Sequence, residues 1–163
     1  MLITTSRKPS QRTRSFCKSL VRVLNSRYVN RGKMSIRDVL IKSSEMGYDK
    51  TAVISQMKGN PSRIDFHEED GELILSIDIT VGLENSSGSK SRIKTQDLKF
   101  YSEVKEMERL ADILKIPRFC KGSEFKNLML IKCGDEIKNA SIEFYADDGT
   151  TIDPKIFIKG WRP

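Results

Sequence analysis

The sequence predicts an α/β fold of the α+β kind, built of two similar halves, each with helices on a mainly antiparallel or mixed sheet. Helix-period and strand-period segments interleave in both halves, and acidic Asp-Gly corners sit between alternating apolar runs. One stretch also recurs at an offset of 78 residues. There Ile64-Asp65-Phe66-His67-Glu68-Glu69-Asp70-Gly71 lies over Ile142-Glu143-Phe144-Tyr145-Ala146-Asp147-Asp148-Gly149, with six of eight pairs identical or conservative. A period near half the chain reads as duplication of one unit; two unrelated hairpins sharing turn chemistry are the alternative.

The elements follow in order. Leu2 to Thr5 is a β-leaning run that stops at Pro9, which cannot continue a ladder. Ser10 N-caps a helix whose inward face is Phe16, Cys17, Leu20, Val21, Val23 and Leu24, ending at Asn25-Ser26. Tyr28-Val29 is a brief extended piece, and Ser35 caps a second helix, Ile36 to Met46, closed by Gly47. Strands are expected at Thr51 to Met57, Arg63 to His67 and Glu72 to Val81, with turns at Gly59-Asn60-Pro61 and Asp70-Gly71. Ser86-Ser87-Gly88-Ser89 reads as a flexible joint. Beyond it come a strand near Arg92 to Tyr101, an amphipathic helix from Glu103 to Leu114 and a break at Pro117. Strands at Leu128 to Cys133, Ala140 to Tyr145 and Ile152 to Ile158 complete the second half. The organisation expected is a single domain over 1–163, subdivided into a basic half, 1–84, and a second half, 90–163.

Charge is distributed unevenly. The first 37 residues hold ten Lys and Arg and no acid, the first being Asp38. Through Arg63 the balance is 14 basic to 3 acidic, whereas residues 64–163 carry 15 against 19. The net +7 is thus a basic half joined to a mildly acidic one, and a polyanion is the expected partner. Arg7, Lys8, Arg12 and Arg14 flank a strand-to-helix turn, where free backbone N–H groups and guanidinium forks suit phosphate. Aromatics are sparse in that segment, only Phe16 and Tyr28, so contacts directed at RNA backbone and shape are expected rather than base stacking.

Other chemistries lack residues. The chain has one histidine, His67, and three cysteines, Cys17, Cys120 and Cys133, without a C-x-x-C pair, so no metal site and no cofactor are expected. The thiols are expected to be buried and inert, as in a reducing compartment. No phosphate-cradling Gly-rich motif or nucleophile elbow occurs, and His67 is expected on a strand surface. No apolar run approaches a bilayer span, and the apolar faces look committed to a core, so no membrane partner is expected. The acid-free start, read as strand and capped helix, does not suit a transit peptide.

Ile3-Thr4-Thr5-Ser6-Arg7-Lys8-Pro9-Ser10, Phe16, and Tyr28-Val29-Asn30-Arg31-Gly32-Lys33 resemble the opening of the Brix domain of ribosome-biogenesis proteins. The segment from Ile142-Glu143-Phe144 to Ile152-Asp153-Pro154-Lys155-Ile156-Phe157-Ile158-Lys159-Gly160 is similar to the family's closing segment, with Asp153 and Lys155 where glycine and arginine are usual. The compact size resembles archaeal members. The resemblance implies two similar halves related to the anticodon-binding domain of class IIa aminoacyl-tRNA synthetases, and ribosomal RNA binding during rRNA processing and subunit assembly. The expectation is a cytoplasmic, non-catalytic assembly factor that binds ribosomal RNA or its precursor. Arg7, Lys8, Arg12, Arg14, Arg31 and Lys33 would form the main RNA surface, with Lys155, Lys159 and Arg162 as a lesser cluster. The alternatives are a scaffold docking basic ribosomal proteins or other assembly factors, and an RNA-processing enzyme.

Overall fold

The computed structural model describes residues 1–82, 91–120, 122, 124–134 and 139–163; the expected Ser86 to Ser89 joint lies outside the described residues. Nine strands, β1 (Leu2–Thr5), β2 (Arg27–Tyr28), β3 (Lys50–Met57), β4 (Asn60–Glu68), β5 (Leu73–Gly82), β6 (Lys99–Ser102), β7 (Leu128–Cys133), β8 (Ala140–Tyr145) and β9 (Thr151–Arg162), form one mixed sheet. Its order is β2-β1-β3-β4-β5-β9-β8-β7-β6. Among the described residues three α-helices accompany it, α1 (Gln11–Val23), α2 (Ile36–Glu45) and α3 (Arg109–Leu114).

β1 pairs in parallel with β3, and β6 in parallel with β7; the β3-β4-β5 and β7-β8-β9 runs are antiparallel meanders. The residues of the 78-offset match take like places: Ile54 faces Ile64 and Ile64 faces Ile77, as Ile131 faces Ile142 and Ile142 faces Ile156. The two runs meet at β5 and β9, antiparallel from Ser76 opposite Arg162 to Gly82 opposite Lys155.

One face of the sheet carries the main core. Ile3, Ile54, Phe66, Ile77, Phe144 and Ile156 join Phe16, Cys17 and Leu20 of α1 and Leu110 and Ala111 of α3 in a single buried cluster that crosses the β5–β9 seam. Alternation sends Leu2, Thr4 and Val53 to the opposite face, where they are still buried. α2 touches β3, and its buried Val39 and Ser43 stand outside the main cluster, so it accounts for that second layer. α2 starts on a capping box: Asp38 N–H donates to Ser35 Oγ at 3.1 Å, and Ser35 N–H donates to the Asp38 carboxylate at 2.8 Å.

The structure revises several expectations. The Glu103 to Leu114 helix is broken into a 3-10 turn, Lys105–Met107, and the six-residue α3. Glu103 remains in the ladder, its N–H donating to Ile131 O at 2.9 Å, and Lys115 in the left-handed region ends the helix. The strand near Arg92 to Tyr101 shrinks to β6, after a 3-10 turn at Thr95–Asp97. Pro61 lies within β4, just past a register shift, because the reversal is the two-residue turn Lys58-Gly59, both with positive φ. β9 runs four residues past Ile158 through a bulge at Lys159, which shifts the alternation by one residue and places Trp161 inward and Arg162 outward. Cys17 is buried, and burial pushes its thiol up to about 12; Cys120 and Cys133 are exposed, contrary to expectation. Cys133 is the last residue of β7, past the four buried residues that open the strand, and Cys120 lies in irregular chain after α3.

Candidate nucleic-acid interface

The turn from β1 into α1 is fixed at several points. Ser6 N–H donates to Ile54 O at 2.8 Å, carrying the chain one step past the β1–β3 ladder. Ser10 is the N-cap: Thr13 N–H donates to its Oγ at 3.0 Å, and that hydroxyl donates onward to Gly59 O at 2.6 Å. Gln56, at the end of β3, holds the other side. Its Oε1 accepts from Ser10 N–H and from the Thr13 hydroxyl, both at 2.8 Å, and its Nε2 donates to Lys8 O at 3.4 Å. Lys8 itself is in the left-handed region, φ 53°, which costs a non-glycine residue about 1 kcal/mol and persists because its neighbours are anchored.

This clamp has an electrostatic result. Arg7, Lys8 and Pro9 project as a rigid corner beside the Lys58-Gly59 turn, with Arg7, Lys8 and Lys58 all exposed. Arg12 and Arg14 stand on the exposed side of the first turn of α1, which contains no acid, so the positive end of the helix dipole is uncompensated. Arg12 also donates from Nη2 to Val81 O at 3.3 Å, tying the helix to the end of β5. Lys58 was not anticipated from the sequence. The signal was a lysine before glycine in a hairpin, but which corner it joins depends on the β1–β3 pairing.

Arg31 points inward. It is 9% exposed, with Nε donating to Met34 O at 2.7 Å and Nη1 to Thr5 O at 3.3 Å. Burial, with Arg7 nearby, pulls its guanidinium below the ordinary value, against a smaller opposing effect from Asp38. Arg31 thus ties the 29–34 loop to the end of β1, while Lys33 stays exposed. Gly32, φ 53°, gives the loop its left-handed step.

Lys155, Lys159 and Arg162 do not join this corner. Lys155 and Arg162 lie on the face of β9 opposite the main core, because their neighbours Ile156 and Trp161 point into it. Lys155 and Lys132 both bind Glu143, at 2.8 and 2.6 Å, and Tyr145 OH donates to the same carboxylate at 3.0 Å. Burial would raise the Glu143 carboxyl, but the hydrogen bonds from Lys132, Lys155 and Tyr145 outweigh it and bring it down to about 2. Arg162 and Arg63 share Asp78, at 3.4 and 2.7 Å.

His67 is half-buried on β4, with Nδ1 3.2 Å from Gly71 O. Among the described residues no group of His, Cys, Asp and Glu is placed to hold a metal ion. No helix among them is long and apolar enough to cross a membrane.

Comparison with known proteins places this geometry. Curated proteins named probable Brix domain-containing ribosomal biogenesis protein match at 58% identity over 71 residues in Methanothermobacter thermautotrophicus and 36% over 91 residues in Methanococcus maripaludis. The matches cover 44% and 56% of this chain and 43% and 52% of those relatives, so they span about half the relatives' length. The crystal structure of Mil, an archaeal Imp4-like protein, matches at TM-score 0.83 and 34% identity, covering 99% of this chain and 98% of that one. The chain belongs to the Brix-domain family of ribosome-biogenesis proteins. A probable ribosomal biogenesis protein from Aeropyrum pernix, 18% identical with TM-score 0.74, shares the fold of this Brix-domain chain. No protein-family model matches it.

Proposed function

We propose that the protein is a non-catalytic ribosome-biogenesis factor that binds ribosomal RNA or its precursor by the phosphate backbone during rRNA processing and subunit assembly. The observation that carries this reading is the clamped β1–α1 turn, which presents Arg7, Lys8, Arg12 and Arg14, with Lys58 on the adjoining turn, around a helix N-terminus free of acids; Lys33 is exposed on the loop that Arg31 ties to Thr5. Six cations held on a pre-ordered frame lose little entropy on binding, and their rigid spacing favours a folded RNA over a flexible one. The relatives' naming as ribosomal biogenesis proteins supports the process. Arg31 contributes by holding the frame.

In the same reading, 1–163 is one domain whose halves, 1–84 and 90–163, are copies of one unit that diverged in charge, of the kind found in class IIa synthetase anticodon-binding domains. The like register of β3-β4-β5 and β7-β8-β9 supports it. Only the first copy keeps the basic corner. Cytoplasmic assembly intermediates are the expected setting, with ribosomal proteins or other assembly factors as neighbours.

Ultraviolet crosslinking in cells tests the function. Ribosomal RNA crosslinked to peptides containing residues 7–14 or 58 is expected; recovery of protein partners without RNA would overturn the proposal in favour of a scaffold.

A further inference from the structure

We infer that the open face of the sheet in the second half is a second RNA surface, a platform on which unpaired bases stack. This rests on the RNA reading above but uses different residues, on the opposite side of the sheet from α1.

Four rings form a row across β6, β7 and β8. Tyr101 lies 6.2 Å from Phe119, Phe119 5.5 Å from Phe125, and Phe125 6.1 Å from Tyr145, centroid to centroid. The row has an apolar footing. Leu128 and Leu130 are paired in register with Tyr145 on one side and Tyr101 on the other, and both are buried. Within the row Phe125 is 51% exposed, and Phe157, on β9 and outside the row, is 43% exposed. They are the two phenylalanines exposed among the described residues, and both lie on this face. Leaving half a phenylalanine in water forgoes roughly 1 kcal/mol of burial, so their position is not explained by stability.

Two of the rings on this face have a cation beside them, and both cations meet at Glu143. Lys132 Nζ is 5.9 Å from the Tyr145 centroid, and Lys155 Nζ is 5.5 Å from that of Phe157. The Lys132–Glu143–Lys155 group has two cations for one carboxylate held ionised, and Arg63–Asp78–Arg162 has the same ratio. Although residues 64–163 sum to −4, this face carries Arg63, Lys132, Lys155 and Arg162 against Asp65, Asp78 and Glu143. Ten of the 19 acids of that half sit elsewhere, at the 68–72 hairpin, along 103–112 and at Asp147-Asp148.

Flat apolar rings flanked by paired but excess lysines suit single-stranded RNA: bases stack on the rings, while the backbone is met by ammonium groups. A protein partner would be met by apolar side chains without needing the lysine beside each ring. Gly82 fits this arrangement. A Cβ there would stand 3.6 Å from the Phe157 ring, in contact with the platform edge.

The test is binding of a short 5′-labelled oligouridylate, followed by anisotropy, to the full chain and to Phe125→Ala, Phe157→Leu and their double variant. Both positions are exposed, and circular dichroism checks that the fold is kept. The platform predicts at least tenfold weaker oligouridylate binding in the double variant, with binding to a base-paired rRNA fragment changed less than twofold. Arg7→Ala with Lys8→Ala should do the reverse. If the parent chain binds the paired fragment but not oligouridylate, or if the double variant binds oligouridylate as the parent does, the platform is overturned while the basic corner stands. If oligouridylate binding depends on Phe125 and Phe157 while the paired fragment does not bind, the corner falls and the platform stands. Binding of neither RNA overturns both, leaving the face to a protein partner.

Discussion

Replacing Gln56 by alanine would loosen the basic corner without touching a charge. Gln56 Oε1 accepts from Ser10 N–H and from the hydroxyl of Thr13, which is fully buried, and Nε2 donates to Lys8 O. Truncation leaves the Thr13 hydroxyl without that acceptor, a cost of about 1–3 kcal/mol for a buried group, whereas Ser10 N–H and Lys8 O lie nearer the surface and regain water. The expected loss is about 2 kcal/mol, or a fall in melting temperature of roughly 4–8 °C for a chain of this length. Gln56→Glu keeps both accepted bonds but turns the donor to Lys8 O into a carboxylate oxygen, so a smaller loss of about 1 kcal/mol is expected, and the added charge beside Lys8 weakens RNA binding. Urea denaturation followed by circular dichroism measures both. Gln56→Ala within about 0.3 kcal/mol of the parent would refute the claim that this side chain holds the turn.

Further perturbations separate frame from surface. Arg31→Ala should cost about 2 kcal/mol in urea denaturation, because two backbone carbonyls lose a charged donor, whereas Arg7→Ala and Lys8→Ala should change stability by less than about 0.5 kcal/mol. Glu143, with its carboxyl brought down to about 2, contributes stability that is fully present above its unfolded value near 4.3 and is lost as pH falls toward 2. Because Lys132 and Lys155 are half exposed, about 2 kcal/mol is expected at neutral pH; the stability gap between parent and Glu143→Gln should close between about pH 5 and 2 in pH-resolved melts. A thiol reagent should label Cys120 and Cys133 quickly in the native protein and Cys17 only on unfolding, as counted by mass spectrometry.

Local signals transmitted well from sequence to structure. Ser10 and Ser35 cap their helices, Phe16, Cys17 and Leu20 face the core, and Asp70-Gly71 turns a hairpin, because capping, periodicity and turn chemistry are decided within a few residues. Long-range pairing hid the rest. Glu103 is held extended by Ile131 and the chain then makes a 3-10 turn, against a helical pattern in the sequence, although α3 ends at Leu114 as that pattern predicts. The Asn30-Arg31-Gly32 step marked a loop correctly, yet only the return of that loop onto Thr5 turns Arg31 inward. Lys58 gains its neighbours through Gln56 and Ser10, residues more than forty positions apart. The aromatic row joins two strands and a loop, so its members look scattered along the chain. β9 divides its cations from the basic corner through strand alternation, a separation that the count of lysines and arginines could not reveal.

The central claim is that an acid-free corner binds RNA by its phosphates. The salt dependence of affinity for a base-paired rRNA fragment tests it most directly. With Arg7, Lys8, Arg12, Arg14, Lys33 and Lys58 each neutralising a phosphate, log affinity should fall against log salt with a slope of roughly −4 to −5. Arg7→Ala, Lys8→Ala and Arg12→Ala together should reduce that slope by roughly 2 to 3. A flat salt dependence in the parent chain, or an unchanged slope in the triple variant, would contradict the account.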